Sequence, residues 1–136
     1  MKTELIAETW GALDERQQRE FVEDFYRRFF ERFPGYRPLF PKELNAAHLG
    51  KMVQTMALVA NLSEDRGLIA PHMHKVGSAH RPYALKPGDL ENFKVTFVDM
   101  LGERLGARWS LAAAQAWGEA FDQVLIPLMR EGIAGG

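Results

Sequence analysis

Residues 21–33 read Phe-Val-Glu-Asp-Phe-Tyr-Arg-Arg-Phe-Phe-Glu-Arg-Phe. Phenylalanines lie four residues apart, at positions 21, 25, 29 and 33, with Val22, Tyr26 and Phe30 forming an adjoining row. A spacing of four keeps side chains on one face of a helix, so residues 16–33 are predicted to form an amphipathic, strongly aromatic helix. Pro34-Gly35 is a stop signal and predicts the end of this helix.

The same helical spacing continues on both sides of this segment, and no segment shows the strict alternation of a half-buried strand. Further helices are predicted at about residues 4–13, 44–62 and 89–105, between Gly67 and Pro82, and from Ser110 onward. Pro127 is expected to bend the last helix. The pattern therefore predicts an all-α chain, with residues 1–136 forming a single domain and the last few residues a flexible tail.

Composition narrows the function classes. The chain has 136 residues, 46% of them apolar, and no cysteine, which excludes disulfides, thiolate metal sites and cysteine nucleophiles. The net charge of −1 argues against nucleic acid as a partner, because a basic surface would be expected. No apolar run approaches the roughly 20 residues of a membrane span, and the polar N-terminus is unlike a signal peptide. A cytoplasmic protein without a membrane partner is expected.

The four histidines are the candidate metal ligands. His72 and His74 are two residues apart, so they point to different sides of a helix and cannot share one ion. His72 and His80 are separated by roughly 12 Å along a helix axis, which is too far for a common metal. His48 and His80 remain, each on an apolar face of a different predicted helix.

An aromatic lining accompanies these two histidines, formed by Tyr26, Phe40, Phe93 and Phe97. A flat apolar cofactor between two helices would account for the lining and the histidines together, because haem iron needs an axial base and its ring needs apolar walls. On periodicity alone a core histidine is the more common explanation of His80, so both interpretations stay open at this point.

Four segments resemble one known family in order and spacing. Residues 24–30, Pro34 and Arg37-Pro38-Leu39-Phe40 closely resemble the second and third helices of bacterial haemoglobins and of flavohaemoglobin globin domains. His48-Leu49-Gly50-Lys51-Met52 is similar to their distal segment, and Gly77-Ser78-Ala79-His80 to their proximal G-x-x-H stretch. Residues 116–121 resemble the A-W-G-x-A-Y stretch of their last helix. The resemblance runs from about Leu5 to Met129.

This resemblance implies a single-domain globin of the bacterial type, a three-on-three helical sandwich around a haem pocket. It implies haem b, with His80 as the iron ligand and with His48 and Tyr26 facing a diatomic gas. Further pocket residues are implied in the same way, namely Phe40, Met52, Val76, Leu85, Phe93 and Phe97. The family's proximal tyrosine falls near Leu90 here and the last helix offers only Glu131 late in the chain, so a side-chain acceptor for the proximal histidine is not expected.

The implied function is reversible binding of O2, and also of CO or NO, at a pentacoordinate iron for oxygen storage, transport or scavenging. One alternative is a nitric oxide dioxygenase that depends on a separate reductase, because the chain ends at 136 without a flavin module. Another is a redox or gas sensor in which His48 coordinates the iron as a sixth ligand. The sequence leaves the oligomeric state open.

Overall fold

The computed structural model describes residues 2–135, and within them the chain is helical with no strand. The helices are α1 (Thr3–Gly11), α2 (Glu15–Arg32), α3 (Ala46–Leu62), α4 (Arg66–Ala79), α5 (Pro87–Leu105), α6 (Leu111–Ala120) and α7 (Ile126–Ile133). Short 3₁₀ turns lie at Pro34–Leu39, Arg81–Tyr83 and Gly106–Arg108. The all-α prediction is confirmed, and the tail at residue 136 lies outside the described residues.

The helix boundaries follow from local capping chemistry. Asp14 and Gln17 form a reciprocal capping box at the start of α2, with Gln17 N–H donating to Asp14 Oδ1 at 2.8 Å. Asn45 caps α3, its Oδ1 accepting the His48 N–H at 2.9 Å, and this begins the helix two residues later than the apolar pattern predicted. Pro34 ends α2, as expected.

Two layers of three helical units build the domain, with α6 and α7, which follow one another along the chain, together forming one unit. In one layer α1 packs on α3 and α3 on α4, and in the other α2 packs on α5 and α5 on α6. Cross contacts join the layers where α1 meets α6, α2 meets α3 and α4 meets α7. This is the three-on-three sandwich that the resemblance implied, and α3 contacts both α2 and α4 in it.

The core between the layers is unusually aromatic. Its fully buried rings are those of Phe21, Phe25, Phe97, Trp117 and Phe121. They pack mostly in edge-to-face or tilted pairs with centroids about 5–6 Å apart, an arrangement that complements the ring quadrupoles. The four-residue phenylalanine spacing of α2 therefore supplies one wall of this core.

The last helix changes its winding before Pro127. Residues Phe121–Leu125 form a π-helical segment between α6 and α7, where the Ile126 N–H reaches back to the Phe121 carbonyl. Proline has no N–H and its ring crowds the carbonyl four residues earlier, so the Gln123 carbonyl has no N–H of residue 127 to accept from. Arg66, the first residue of α4, donates from Nη1 to that Gln123 carbonyl at 2.8 Å. The perturbation expected at Pro127 is therefore a wide turn, which α4 helps to satisfy.

Candidate functional site

His80 lies directly after α4, as its C-terminal cap. Its imidazole Nδ1 is 2.7 Å from the Val76 carbonyl oxygen, one turn back along α4. Because a carbonyl oxygen can only accept, this bond places the proton on Nδ1 and leaves the Nε2 lone pair free. The ring is thus oriented and set in the tautomer that binds a metal through Nε2.

The Val76 carbonyl is a partner that sequence reasoning missed. Leu90 and Glu131 were the positions considered for it, and neither supplies it. Leu90 lines a cavity of about 220 Å³, and Glu131 Oε1 lies 3.1 Å from Nε2 of His74. A backbone acceptor leaves no residue-type signal in a sequence, because every residue carries the same carbonyl group.

Three aromatic side chains from three elements meet in one cluster. Tyr26 of α2, Phe40 after the first 3₁₀ turn and His48 of α3 form a mutual cluster. The Tyr26 ring centroid lies 5.5 Å from those of Phe40 and His48, and the last two are 5.9 Å apart. Met52, one turn after His48, is also buried. The structure therefore brings together Tyr26, Phe40 and His48, which lie up to 22 positions apart in the sequence.

Arg37 holds Phe40 in this cluster. Its guanidinium lies over the Phe30 ring, 5.2 Å from the centroid, and its Nη1 donates to the Pro41 carbonyl at 2.9 Å. A second nitrogen, Nη2, donates to the Lys42 carbonyl. Since several donors of one planar group bind consecutive carbonyls, the turn after Phe40 is pinned to the end of α2.

The Tyr26 side chain is buried, but its hydroxyl oxygen is not fully enclosed. The side chain is 6% exposed, and burial alone raises its pKa well above the usual 10. Among residues 2–135 its hydroxyl makes no hydrogen bond to a side chain or to the backbone, so the alternative of a core tyrosine bonded to backbone gains no support. Among residues 2–135 the fully enclosed side-chain polar atom without a partner is Trp10 Nε1, so the Tyr26 hydroxyl carries no penalty for an unmade buried hydrogen bond and stays accessible to a ligand.

His48 and His80 are close enough to interact electrostatically. Burial lowers the pKa of His48 below its ordinary value of 6.5, and the positive charges of Lys51 and His80 lower it further. His48 is therefore neutral at neutral pH, with one N–H to donate. The two histidines that the sequence singled out are thus coupled through charge.

The family comparison agrees with this geometry. The globin family model matches residues 23–127 of the 136-residue chain. The chain belongs to the globin family. That family implies haem binding and, in general, diatomic gas ligands. The likeness to the bacterial members of the family stays a prediction.

The residues of this globin fit haem. A porphyrin supplies the equatorial donors of its iron, so the protein needs one axial base and apolar walls. His80 offers that base through Nε2, and Phe40 and Met52 offer apolar surface. Among residues 2–135, no three His, Asp or Glu side chains converge to hold a bare metal ion. Within the same residues no helix is long and apolar enough to cross a membrane.

Four predicted pocket residues of this globin remain, and they have different surroundings: Val76, Leu85, Phe93 and Phe97. Val76 acts through its carbonyl, and Leu85 lines the 220 Å³ cavity together with Leu90. Phe93 is half-buried and packs on Phe25 with centroids 4.7 Å apart.

Phe97 is fully buried, and its ring contacts lie in the aromatic core, with Trp10, Phe21 and Trp117 among them. Within residues 2–135 none of its ring contacts is with Tyr26, Phe40 or either site histidine. A four-residue spacing places Phe93 and Phe97 on one helix face but does not say which neighbour that face meets. The assignment of Phe97 to the pocket stays a prediction, and we leave it out of the candidate site.

A pH dependence of stability follows from the lowered pKa of His48. The unfolded chain takes up its proton at about pH 6.5, whereas folded His48 resists it, so stability is lost as pH falls below about 6.5. His72, whose pKa burial also lowers, adds to the same slope. In the haem-free protein, His48→Gln should flatten the decline in urea midpoint between about pH 7 and pH 5.5, and His48→Gln/His72→Gln should flatten it further. An unchanged slope in the double variant would contradict this assignment.

Proposed function

We propose that this globin binds O2 reversibly at a haem b held by His80, with Tyr26 and His48 donating hydrogen bonds to the gas. The single observation that carries the proposal is the contact of the Tyr26 ring with the rings of His48 and Phe40, on a side chain that is 6% exposed and whose hydroxyl makes no hydrogen bond among residues 2–135. An acceptor bound beside this hydroxyl would receive its O–H in a largely apolar setting, where a hydrogen bond is stronger than in water.

Haem supplies an open coordination position for a diatomic gas. The protein's own contribution is to hold the haem and to discriminate between gases. His80 fixes the proximal side because the Val76 carbonyl orients its ring. On the distal side Tyr26 donates an O–H, and neutral His48 donates an N–H, into a space walled by Phe40 and Met52. A gas that takes on negative charge when bound is favoured over one that does not, since donors stabilise the charge.

The attachment of the cofactor is proposed to be noncovalent. The chain offers no cysteine for thioether bonds to the porphyrin, so the His80 bond and apolar contacts are the available attachments. This supports haem b among the haem types. Oxygen storage, transport or scavenging is the corresponding role, and nitric oxide dioxygenation with a separate reductase stays an alternative prediction.

The test of the proposal removes the Tyr26 hydroxyl and keeps its ring. Tyr26→Phe should speed O2 dissociation from the ferrous protein by about tenfold to a hundredfold, because a hydrogen bond to a charged group contributes roughly 1.5–3 kcal/mol. Stopped-flow displacement of O2 by CO measures this rate. CO dissociation should change far less, because CO carries less charge than O2.

Tyr36→Phe is the matched control. The Tyr36 hydroxyl donates to Asp89 Oδ1 at 2.5 Å and accepts from Asn92, so its removal alters a structural bond between the first 3₁₀ turn and α5. O2 dissociation should stay near the wild-type rate in this variant. Equal O2 rates in Tyr26→Phe and wild type would overturn the proposed role of Tyr26, and failure of the wild type to show a Soret band with haem would overturn the function.

A second candidate is a six-coordinate haem protein with His48 as the second axial ligand. The influence of His80 on the pKa of His48 favours it, because such an influence requires the two imidazoles to be near each other. The ferrous absorption spectrum without gas decides between the two. A six-coordinate spectrum that becomes five-coordinate in His48→Leu would support this candidate, and a five-coordinate wild-type spectrum would exclude it.

A further inference from the structure

His80 lies where the regular backbone hydrogen bonding of α4 ends. Its N–H donates to the Gly77 carbonyl three residues back, at 2.9 Å, in place of the regular bond to the fourth residue back. The chain then turns into the short Arg81–Tyr83 segment and reaches Ala84, which has a left-handed backbone (φ 50°). The position of the His80 ring therefore depends both on α4 and on whatever holds the residues that follow it.

The body of α4 is locked to α7 by two glycines. A Cβ at Gly77 would overlap the Met129 carbonyl, and a Cβ at Gly132 would overlap the His74 carbonyl. The two backbones are thus in direct contact at these positions. This interlock reaches only as far as Gly77, which leaves the end of α4 and His80 beyond it.

Arg81 ties the next part of the chain to α7. Its Nε donates to the Ile133 carbonyl at 3.1 Å, and its Nη2 donates to the Gly132 carbonyl at 2.9 Å. Both carbonyls belong to the last turn of α7, where the regular helical partners are missing and where a cation is favoured by the helix dipole, and the Gly132 carbonyl also accepts from the Gly135 N–H at 3.3 Å. The residue next to His80 therefore makes a two-point attachment to a helix about 50 residues away.

We propose that Arg81 is a positioning residue for His80. By attaching the segment after α4 to the end of α7, it limits how far the His80 ring tilts or shifts when its Nε2 binds the haem iron. This inference rests on the proposed function, because it concerns the same haem ligand. It also makes the position of His80 depend on a region outside the pocket, because a shift of the C-terminal end of α7 would move Arg81 and the segment next to His80.

The chain contains its own matched control. Arg66, at the other end of α4, donates to the Gln123 carbonyl at 2.8 Å, so it also joins α4 to the last helical unit by an arginine–carbonyl bond. Arg66 is 14 positions before His80 in the numbering and lies on the far side of the glycine interlock. Removing it costs a similar bond between the same elements without releasing the segment after His80.

The experiment compares Arg81→Ala, Arg81→Lys and Arg66→Ala in the full-length protein with two readouts. The first is the iron–histidine stretching band in the resonance Raman spectrum of the ferrous, haem-loaded protein. It should shift and broaden in Arg81→Ala, return partly in Arg81→Lys and stay unchanged in Arg66→Ala. The second is amide hydrogen exchange of residues 80–85 in the haem-free protein, which should become about tenfold faster in Arg81→Ala only.

The outcomes separate this proposal from the function on which it rests. A wild-type protein that takes up haem, together with an Arg81→Ala variant that keeps the wild-type band and exchange rates, would overturn the role of Arg81 alone. Equal changes in Arg66→Ala would do the same, because they would indicate general loosening of α4. Failure of the wild type to take up haem would overturn both. If Arg81→Ala does not fold, Arg81→Lys, which keeps the charge but not the planar fork, decides by the same readouts.

Discussion

Replacing His80 by glycine is expected to abolish tight haem binding, lowering haem affinity by more than about a hundredfold. Loss of a mere hydrogen-bonding partner of a metal ligand typically costs about 10–100-fold, and here the ligand itself is removed. The expectation rests on the geometry of His80, whose Nδ1 is hydrogen-bonded to the Val76 carbonyl while its Nε2 is free to bind iron. Haem titration followed at the Soret band measures the effect.

Imidazole and a second histidine make this test specific. Added imidazole should restore the five-coordinate ferrous spectrum in His80→Gly, since the small molecule enters the space that the side chain has vacated. His72→Ala is the control, because His72 also lies on α4 but its Nε2 is engaged with Thr55 Oγ1 at 3.1 Å. Wild-type haem affinity in His80→Gly, or an equal loss in His72→Ala, would remove His80 from the site.

Substituting Gly77 by alanine is expected to lower the free energy of unfolding by about 1–3 kcal/mol, the usual cost of forcing an extra group into a packed interface. The added methyl group would meet the Met129 backbone, which cannot move aside as a flexible side chain does. This loss should appear although alanine is the better helix former by about 1 kcal/mol. Urea denaturation of the haem-free protein measures it.

Gly118→Ala is the matched substitution for this prediction. Gly118 also lies within a helix, α6, but a Cβ there would meet no atom within 4 Å. Alanine at this position should therefore stabilise the protein by roughly 0.5–1 kcal/mol. The opposite signs of the two substitutions are the result to look for, and a stabilised Gly77→Ala variant would contradict the close approach of α4 and α7.

The two strongest substitutions act on the same element for different reasons. His80 ends α4 and is the proposed ligand, whereas Gly77 lets α4 approach α7 closely enough for the Arg81 attachment to form. The surroundings of His80 are therefore a glycine, a backbone carbonyl and an exposed arginine rather than a polar side-chain cluster.

Most of the fold was predictable from local pattern. The four-residue phenylalanine spacing predicted α2, and Pro34 and Ser110 predicted helix ends that the structure confirms. Such features depend on neighbours within one or two helical turns, so they can be recognised from the sequence. His48 and His80 were recognisable as candidates in the same way, because a histidine on an apolar helical face stands out against its neighbours.

The sequence by itself determined the helices, the apolar faces that pack them and the identity of the candidate site residues. Only the tertiary structure decided which side chains meet, such as Tyr26 with His48, and that Phe97 turns its ring to the aromatic core. It alone shows the Val76 carbonyl on His80, the Arg66 and Arg81 attachments and the glycine interlock. The physical reason is that these contacts join backbone groups, which are alike in every residue, or join positions far apart along the chain, from 22 residues for Tyr26 and His48 to more than 50 for the two arginines.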